Sequence, residues 1–272
     1  MRRFPVAIVA ALAAAALTGM SPAHADTLID NVNGLTLDDK GQVQRFSGVL
    51  VGDDGRIEQI FQRGDRRPKK VDFALDGKGK VMLPGLIAAN AHVVRLGLAL
   101  LLAKPSVTRA AGETPGGQPR PEDRDLAVME AQQALLARGI TTVTDMGTTI
   151  EDWQAYRRAG DAGALRMRII AYAGGVDAMI LIGGPGPSPW LYEDRLRLTG
   201  VALAPDGPRP LSDTQLRNLM SRAAMDHFQI AVTARTAPAV TSVLGALDEL
   251  TQTYKGERRW RIEQATAIAP AD

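Results

Sequence analysis

Residues 139–160, GITTVTDMGTTIEDWQAYRRAG, hold the pattern that decides the fold. Ile140 to Thr144 is a run of β-branched residues, the composition of a strand buried on both faces. Thr149 with Asp152 then opens a helix, and Gly160 supplies its stop. A strand that feeds directly into a helix is one β/α unit, and the unit repeats on either side. Strands are predicted at Leu86 to Ala89, Ile140 to Thr144, Met167 to Tyr172, Leu198 to Leu203, Gln229 to Val232 and Trp260 to Glu263. Helices are predicted near 93–103, 123–138, 150–159, 213–226 and 239–254. In the fourth of these, Ser212 and Gln215 make a capping box, and Leu216, Leu219, Met220 and Ala223 share one face. Such alternation implies a parallel α/β sheet, either doubly wound or rolled into a β/α barrel. A complete barrel takes eight units in ~250 residues. Six strands between residues 85 and 272 leave the sheet open or the barrel unfinished.

Outward from this region the pattern changes. From Asp26 to about Pro84 it is short and β-like. Val49-Leu50-Val51, Asp53-Asp54-Gly55 and Arg56 to Phe61 spell a hairpin with an Asp-Gly turn, and Val71 to Leu75 is a further strand. These strands are too few and too polar for an independent sandwich and need others to bury their apolar face. Lys104 to Pro121, rich in Pro, Gly, Thr and Arg, reads as a loop. At the start, Arg2-Arg3, the uncharged run Val6 to Leu17 and Ala23-His24-Ala25 form the three parts of a cleavable export leader, residues 1–25. The apolar run is too short to cross ~30 Å of hydrocarbon, so the expectation is a periplasmic or secreted protein with no stable membrane anchor.

Composition excludes several classes. The chain has 272 residues, 45% hydrophobic and 23% charged, with 3 His and no Cys. Absent cysteine removes disulfide scaffolds, thiolate metal sites and cysteine nucleophiles. The net charge of +2 rests on Arg2 and Arg3; without them the charges balance, and no nucleic-acid partner is expected. Gly183-Gly184-Pro185-Gly186-Pro187 has the glycines of a phosphate cradle, but prolines remove the amide donors, which favours a rigid loop. No G-x-S-x-G elbow is present.

Several segments resemble the metal-dependent amidohydrolase superfamily of C–N hydrolases. Val81-Met82-Leu83-Pro84-Gly85-Leu86-Ile87 is similar to the lead-in to the first barrel strand, and Gly139 to Gly147 to the second strand and its turn. Gly200-Val201, Phe228 to Val232 and Arg261-Ile262-Glu263 follow in the order of strands four, five and six. The resemblance implies an incomplete (β/α) barrel of TIM type over 85–272, preceded by a partial β-sandwich over 26–84. It also implies one or two divalent metals, zinc foremost, at the strand C-termini, activating water against an amide-type bond in a small molecule.

The ligand positions implied by the resemblance are mostly substituted. The first-strand histidine pair is Asn90 and His92, so one histidine survives. The strand-four lysine position is Ala202, the strand-five histidine position Thr233 and the strand-six histidine position Gln264, with the strand-eight aspartate beyond the end of the chain. A catalytic zinc site wants three protein ligands, and carboxamides or hydroxyls are poor substitutes for imidazole. His227, after Asp226 at a helix end, lies away from any strand C-terminus. Three residues keep two readings each. His92 is a residual ligand or a hydrogen-bonded rim histidine; Asp145, ending strand two, is functional or a turn or cap; Glu263 is a base or a structural pair beside Gln264. The expectation is a protein with no metal or a weakly held one, catalytically weak or inactive. A non-catalytic binding protein using the barrel mouth and an unstable truncated product are the other readings. The unpaired first and sixth strands lead to the further expectation of self-association or a second polypeptide that completes the barrel.

Overall fold

A computed structural model describes residues 26–103 and 119–270, which divide into two compact units meeting between Pro84 and Gly85. The leader and most of the loop after Lys104 lie outside the described residues. No described helix is long and apolar enough to cross a membrane.

The first unit is one sheet. β1 (Thr27–Leu37), β2 (Val43–Val51), β3 (Ile57–Phe61) and β4 (Phe73–Asp76) lie in the order β3-β2-β1-β4, and β5 (Val81–Met82) also pairs with β1. The β2–β3 hairpin turns where the Asp-Gly pair predicts it, with Gly55 at φ +77° and the Asp54 carboxylate accepting from the Arg56 amide at 2.9 Å. The strand predicted at Val71 starts two residues later. β1 has no counterpart in the sequence reading, because Asp30, Asn31 and Asn33 interrupt its alternation; Asn31 has φ 54° and the register shifts between Asp30 and Gly34. Gly34 is required there, since a Cβ would sit 2.2 Å from the Phe46 ring. Phe46 joins Val32 and Val49 in a small core. Ile57, Phe73, Leu75 and Val81 stay exposed.

In the second unit, strands and helices alternate: β6 (Leu86–Ala91), α1 (Val93–Leu102), α2 (Pro121–Leu136), β7 (Ile140–Thr148), α3 (Ile150–Asp161), β8 (Arg168–Ala173), α4 (Val176–Gly183), β9 (Leu196–Leu203), α5 (Asp213–Met225), β10 (Gln229–Thr233), α6 (Ala237–Thr253) and β11 (Arg261–Glu263). All five adjacent strand pairs are parallel, in the order β11-β10-β9-β8-β7-β6, the sequential winding of a β/α barrel. Both expected capping boxes form: Thr149 Oγ1 accepts from the Asp152 amide at 3.1 Å, and Ser212 Oγ from the Gln215 amide at 3.3 Å.

Three expectations need correction. The predicted helix 123–138 begins at Pro121, which takes the first helical position its fixed φ suits, so the loop gives up its last residue. The sequence predicts no helix at α4: VDAMILIG is apolar but for Asp177 in its first turn and shows little amphipathic period. The glycines after it are the helix end and its left-handed stop, Gly184 at φ 65°, followed by the proline turn. Asp145 does not end its strand, which runs on to Thr148.

The core lies between sheet and helices, with Ile169, Leu198, Ile230, Met220 and Val243 fully buried. Gly97 lets α1 press on α2, since a Cβ there would fall 1.9 Å from the Ala127 carbonyl oxygen. That contact seats the start of α1, beside the strand ends.

Candidate functional site

Side chains alternate across a strand, so the strands' second set of residues faces away from the helices. Met146, Tyr172 and Ala231 form a separate cluster on this inner side, with Ile170 and Ala202 against it. Where β6, β7, β9, β10 and β11 end, the same side opens into a cavity of about 280 Å³. Asn90, His92, Ala202, Thr233 and Gln264, the ligand positions implied by the resemblance, all line it. Residues up to 174 positions apart are thereby brought to one place. His227 is not among them: it follows α5 at φ 62° and precedes β10, at the opposite strand end.

The two carboxylates singled out in the sequence are committed elsewhere. Asp145 falls on the helix-facing side of β7 and is buried at 3% exposure. Its Oδ1 accepts from the Val93 amide at 2.7 Å and its Oδ2 from Thr148 Oγ1 at 2.6 Å. His92 is the N-cap residue of α1 but makes no side-chain cap bond, so a neighbouring strand supplies the cap. Of the two readings kept for Asp145, its contacts are those of a cap. Burial raises the Asp145 carboxyl above its ordinary value, against the lowering effect of the Thr148 hydroxyl, the Val93 amide and Tyr156. Burial and the Asp145 charge push the Tyr156 hydroxyl well up in turn, and that hydroxyl has no well-formed hydrogen bond.

Glu263 pairs with Asn90 and Arg261 rather than with Gln264. Its Oε2 accepts from Asn90 Nδ2 at 2.8 Å, and its Oε1 from Arg261 Nε. Arg261 Nη2 also donates to the Ala89 carbonyl at 2.6 Å, and its guanidinium lies 5.4 Å from the centre of the Tyr172 ring. The Asn90–Glu263 and Arg261–Ala89 bonds cross the seam between β6 and β11, which share no backbone pairing. The open seam expected from the sequence is therefore bridged by side chains. Gln264, at φ 55°, accepts from Arg235 Nε at 2.9 Å. His92 lines the cavity, and among the described residues its ring has no hydrogen-bond partner.

Sequence reasoning missed Arg95 and Arg235, which also line the cavity. Arg95 carried a usable signal, as the single charge in the otherwise apolar α1, VVRLGLALLL.

The donor set does not fit a tight zinc ion. The lining offers one imidazole, two carboxamides and a hydroxyl, and Ala202 has no donor. Among the described residues no group of three or more His, Asp and Glu is placed to hold a metal.

The chain belongs to the amidohydrolase family, whose model matches residues 99–272. It is 39% identical over 74 residues to an imidazolonepropionase of Stenotrophomonas maltophilia, a match covering 27% of this chain and 18% of that protein. It is 36% identical over 69 residues to a 5'-deoxyadenosine deaminase of Methanosarcina mazei, covering 25% of this chain and 15% of the relative. The chain thus matches less than a fifth of either relative's length. In fold it is similar to an uncharacterized metal-dependent hydrolase from Pyrococcus horikoshii, with a TM-score of 0.70 at 15% identity over 90% of this chain and 71% of the other.

Proposed function

We propose that this chain keeps the amidohydrolase barrel mouth without a tightly held metal, and that it hydrolyses amide-type C–N bonds weakly or not at all. The observation that carries this reading is the chemistry of the positions around the cavity. Asn90, Ala202, Thr233 and Gln264 offer no basic nitrogen, and both nearby carboxylates are already committed, Asp145 to the α1 amide and Glu263 to Asn90 and Arg261. His92 alone would contribute one bond to a metal and leave the rest of its shell to water, a weak and exchangeable arrangement. The family relationship supports a small-molecule, amide-type ligand for the same mouth.

The test is elemental analysis of the purified chain after dialysis, with hydrolysis of N-acyl amino acids assayed with and without added zinc. Substoichiometric metal and background hydrolysis are expected. One or more metals held per chain, with activity lost on chelation, would overturn the reading. We also propose export, with Asp26 as the first residue of the exported form; an intact mass that retains Arg2 would exclude that cleavage.

A further inference from the structure

We infer that the cavity at the strand ends binds a small carboxylate, held by the guanidinium groups of Arg95 and Arg235. The inference rests on the reading of this mouth as one without a tight metal, since a bound cation would otherwise dominate the local charge.

The argument is the imbalance of charge in the lining. Two arginines reach the cavity and no aspartate or glutamate lines it. Arg95, in the first turn of α1, is exposed and has no hydrogen-bond or ion-pair partner among the described residues. Arg235 spends its Nε on Gln264, and its Nη1 lies 4.0 Å from Asp206 Oδ1, the outer limit of an ion pair. Asp206 is turned toward the backbone instead. Its Oδ2 accepts from the amides of Arg235 and Thr236, at 2.7 and 3.3 Å, where α6 begins. The second carboxylate nearby, Glu263, is neutralised by Arg261.

The uncharged lining points the same way. Gln264 gives its oxygen to Arg235, which leaves its amide nitrogen as a donor, and Thr233 adds a hydroxyl. Asn90 gives one N–H to Glu263 and keeps its second. A planar guanidinium matches a carboxylate with paired N–H···O bonds, and two cations on one small cavity, Arg95 without a partner among the described residues and Arg235 paired with Asp206 only at the 4.0 Å limit, are relieved by an anion between them. A volume of about 280 Å³ sits at the lower edge of small-molecule sites, ~300–1,000 Å³. That suits a short mono- or dicarboxylate.

The experiment is calorimetric titration of the full chain, treated with chelator and its metal content measured, with succinate and its uncharged counterpart succinamide as probes at low ionic strength. Saturable binding of succinate alone is expected, weakening as salt is added. Arg95→Gln should weaken it about tenfold, the loss of one charge-assisted contact. Because Arg95 has no partner to lose, this variant should fold as the parent does, which near-UV circular dichroism checks; Arg235→Gln gives a second, independent loss. Equal binding of succinamide, or unchanged affinity in a folded Arg95→Gln, would overturn the inference. No succinate binding by chain that holds little metal would overturn it and leave the proposed function standing. Binding that appears only after zinc is restored and retained would overturn both.

Discussion

Along β8, Ile169, Ala171 and Ala173 are fully buried against the helices, whereas Ile170 and Tyr172 between them turn to the inner side. The same alternation separates Ile230 and Val232 from Ala231 and Thr233 on β10. On the helix side the residues are aliphatic, and what they need is volume and shape, satisfied by many sequences. On the inner side they are few and polar toward the strand ends, where an arginine–glutamate–asparagine chain stands beside a cavity. A barrel's identity and its chemistry are thus carried by different faces of the same strands. Asn90, Ala202, Thr233 and Gln264 bear on the second and leave the packing that defines the first untouched.

Four measurements press on this contrast. The largest effect belongs to the helix side: Leu198→Ala, at a fully buried position, should cost about 2–5 kcal/mol in urea unfolding. A cost under about 1 kcal/mol would mean the helix side is far looser than its burial implies.

Asp145 sits on that same side and comes next. Asp145→Ala strips the acceptor from the buried Val93 amide and the Thr148 hydroxyl, and should cost about 2–3 kcal/mol. Asp145→Asn keeps an acceptor and should cost less. It also tests the charge. Because burial raises the folded-state pKa above the usual 3.8, the carboxyl's contribution is full below that pH and is lost as pH rises through the raised value. The parent should therefore lose ground to Asp145→Asn as pH rises from about 4 toward neutrality. A gap between the two that is constant with pH would rule out a raised carboxyl.

The inner side should answer more gently. Glu263→Ala removes the acceptor that joins β6 to β11 through Asn90, and should cost about 1–2 kcal/mol, since Glu263 and Arg261 keep some contact with water. Amide exchange should quicken in β11 before the other strands; equal exchange in all six would show that the bridge does not hold the seam. The smallest effect lies outside both faces. Arg158 and Asp125 pair at 2.8 Å between α3 and α2, each about two-fifths exposed, and Arg158→Ala should cost no more than about 1 kcal/mol. A larger loss would make this surface pair part of the packing.

The strand and helix alternation was legible in the sequence because its signals are local: a β-branched run at 140–144, a mostly apolar run at 198–203, and capping pairs at Thr149–Asp152 and Ser212–Gln215. The family resemblance implied Asn90, His92, Ala202, Thr233 and Gln264 as positions at one end of the sheet, and these five line one cavity. Two elements carried no local signal. α4 is too apolar to show a clear period, and β1 has its alternation broken by Asp30, Asn31 and Asn33. Tertiary structure decided the rest. Which face a side chain takes depends on where a strand truly ends and on irregular register, as between Ala88 and Ala91, so Asp145 went to the helix side while its neighbour Met146 went to the cavity. The partner of Glu263 could not be read either. The adjacent Gln264 was the local choice, but Asn90, 173 residues away, and Arg261 take it. Arg95 and Arg235 meet at one cavity for the same reason, since closing the sheet brings together strand ends that no spacing along the chain records.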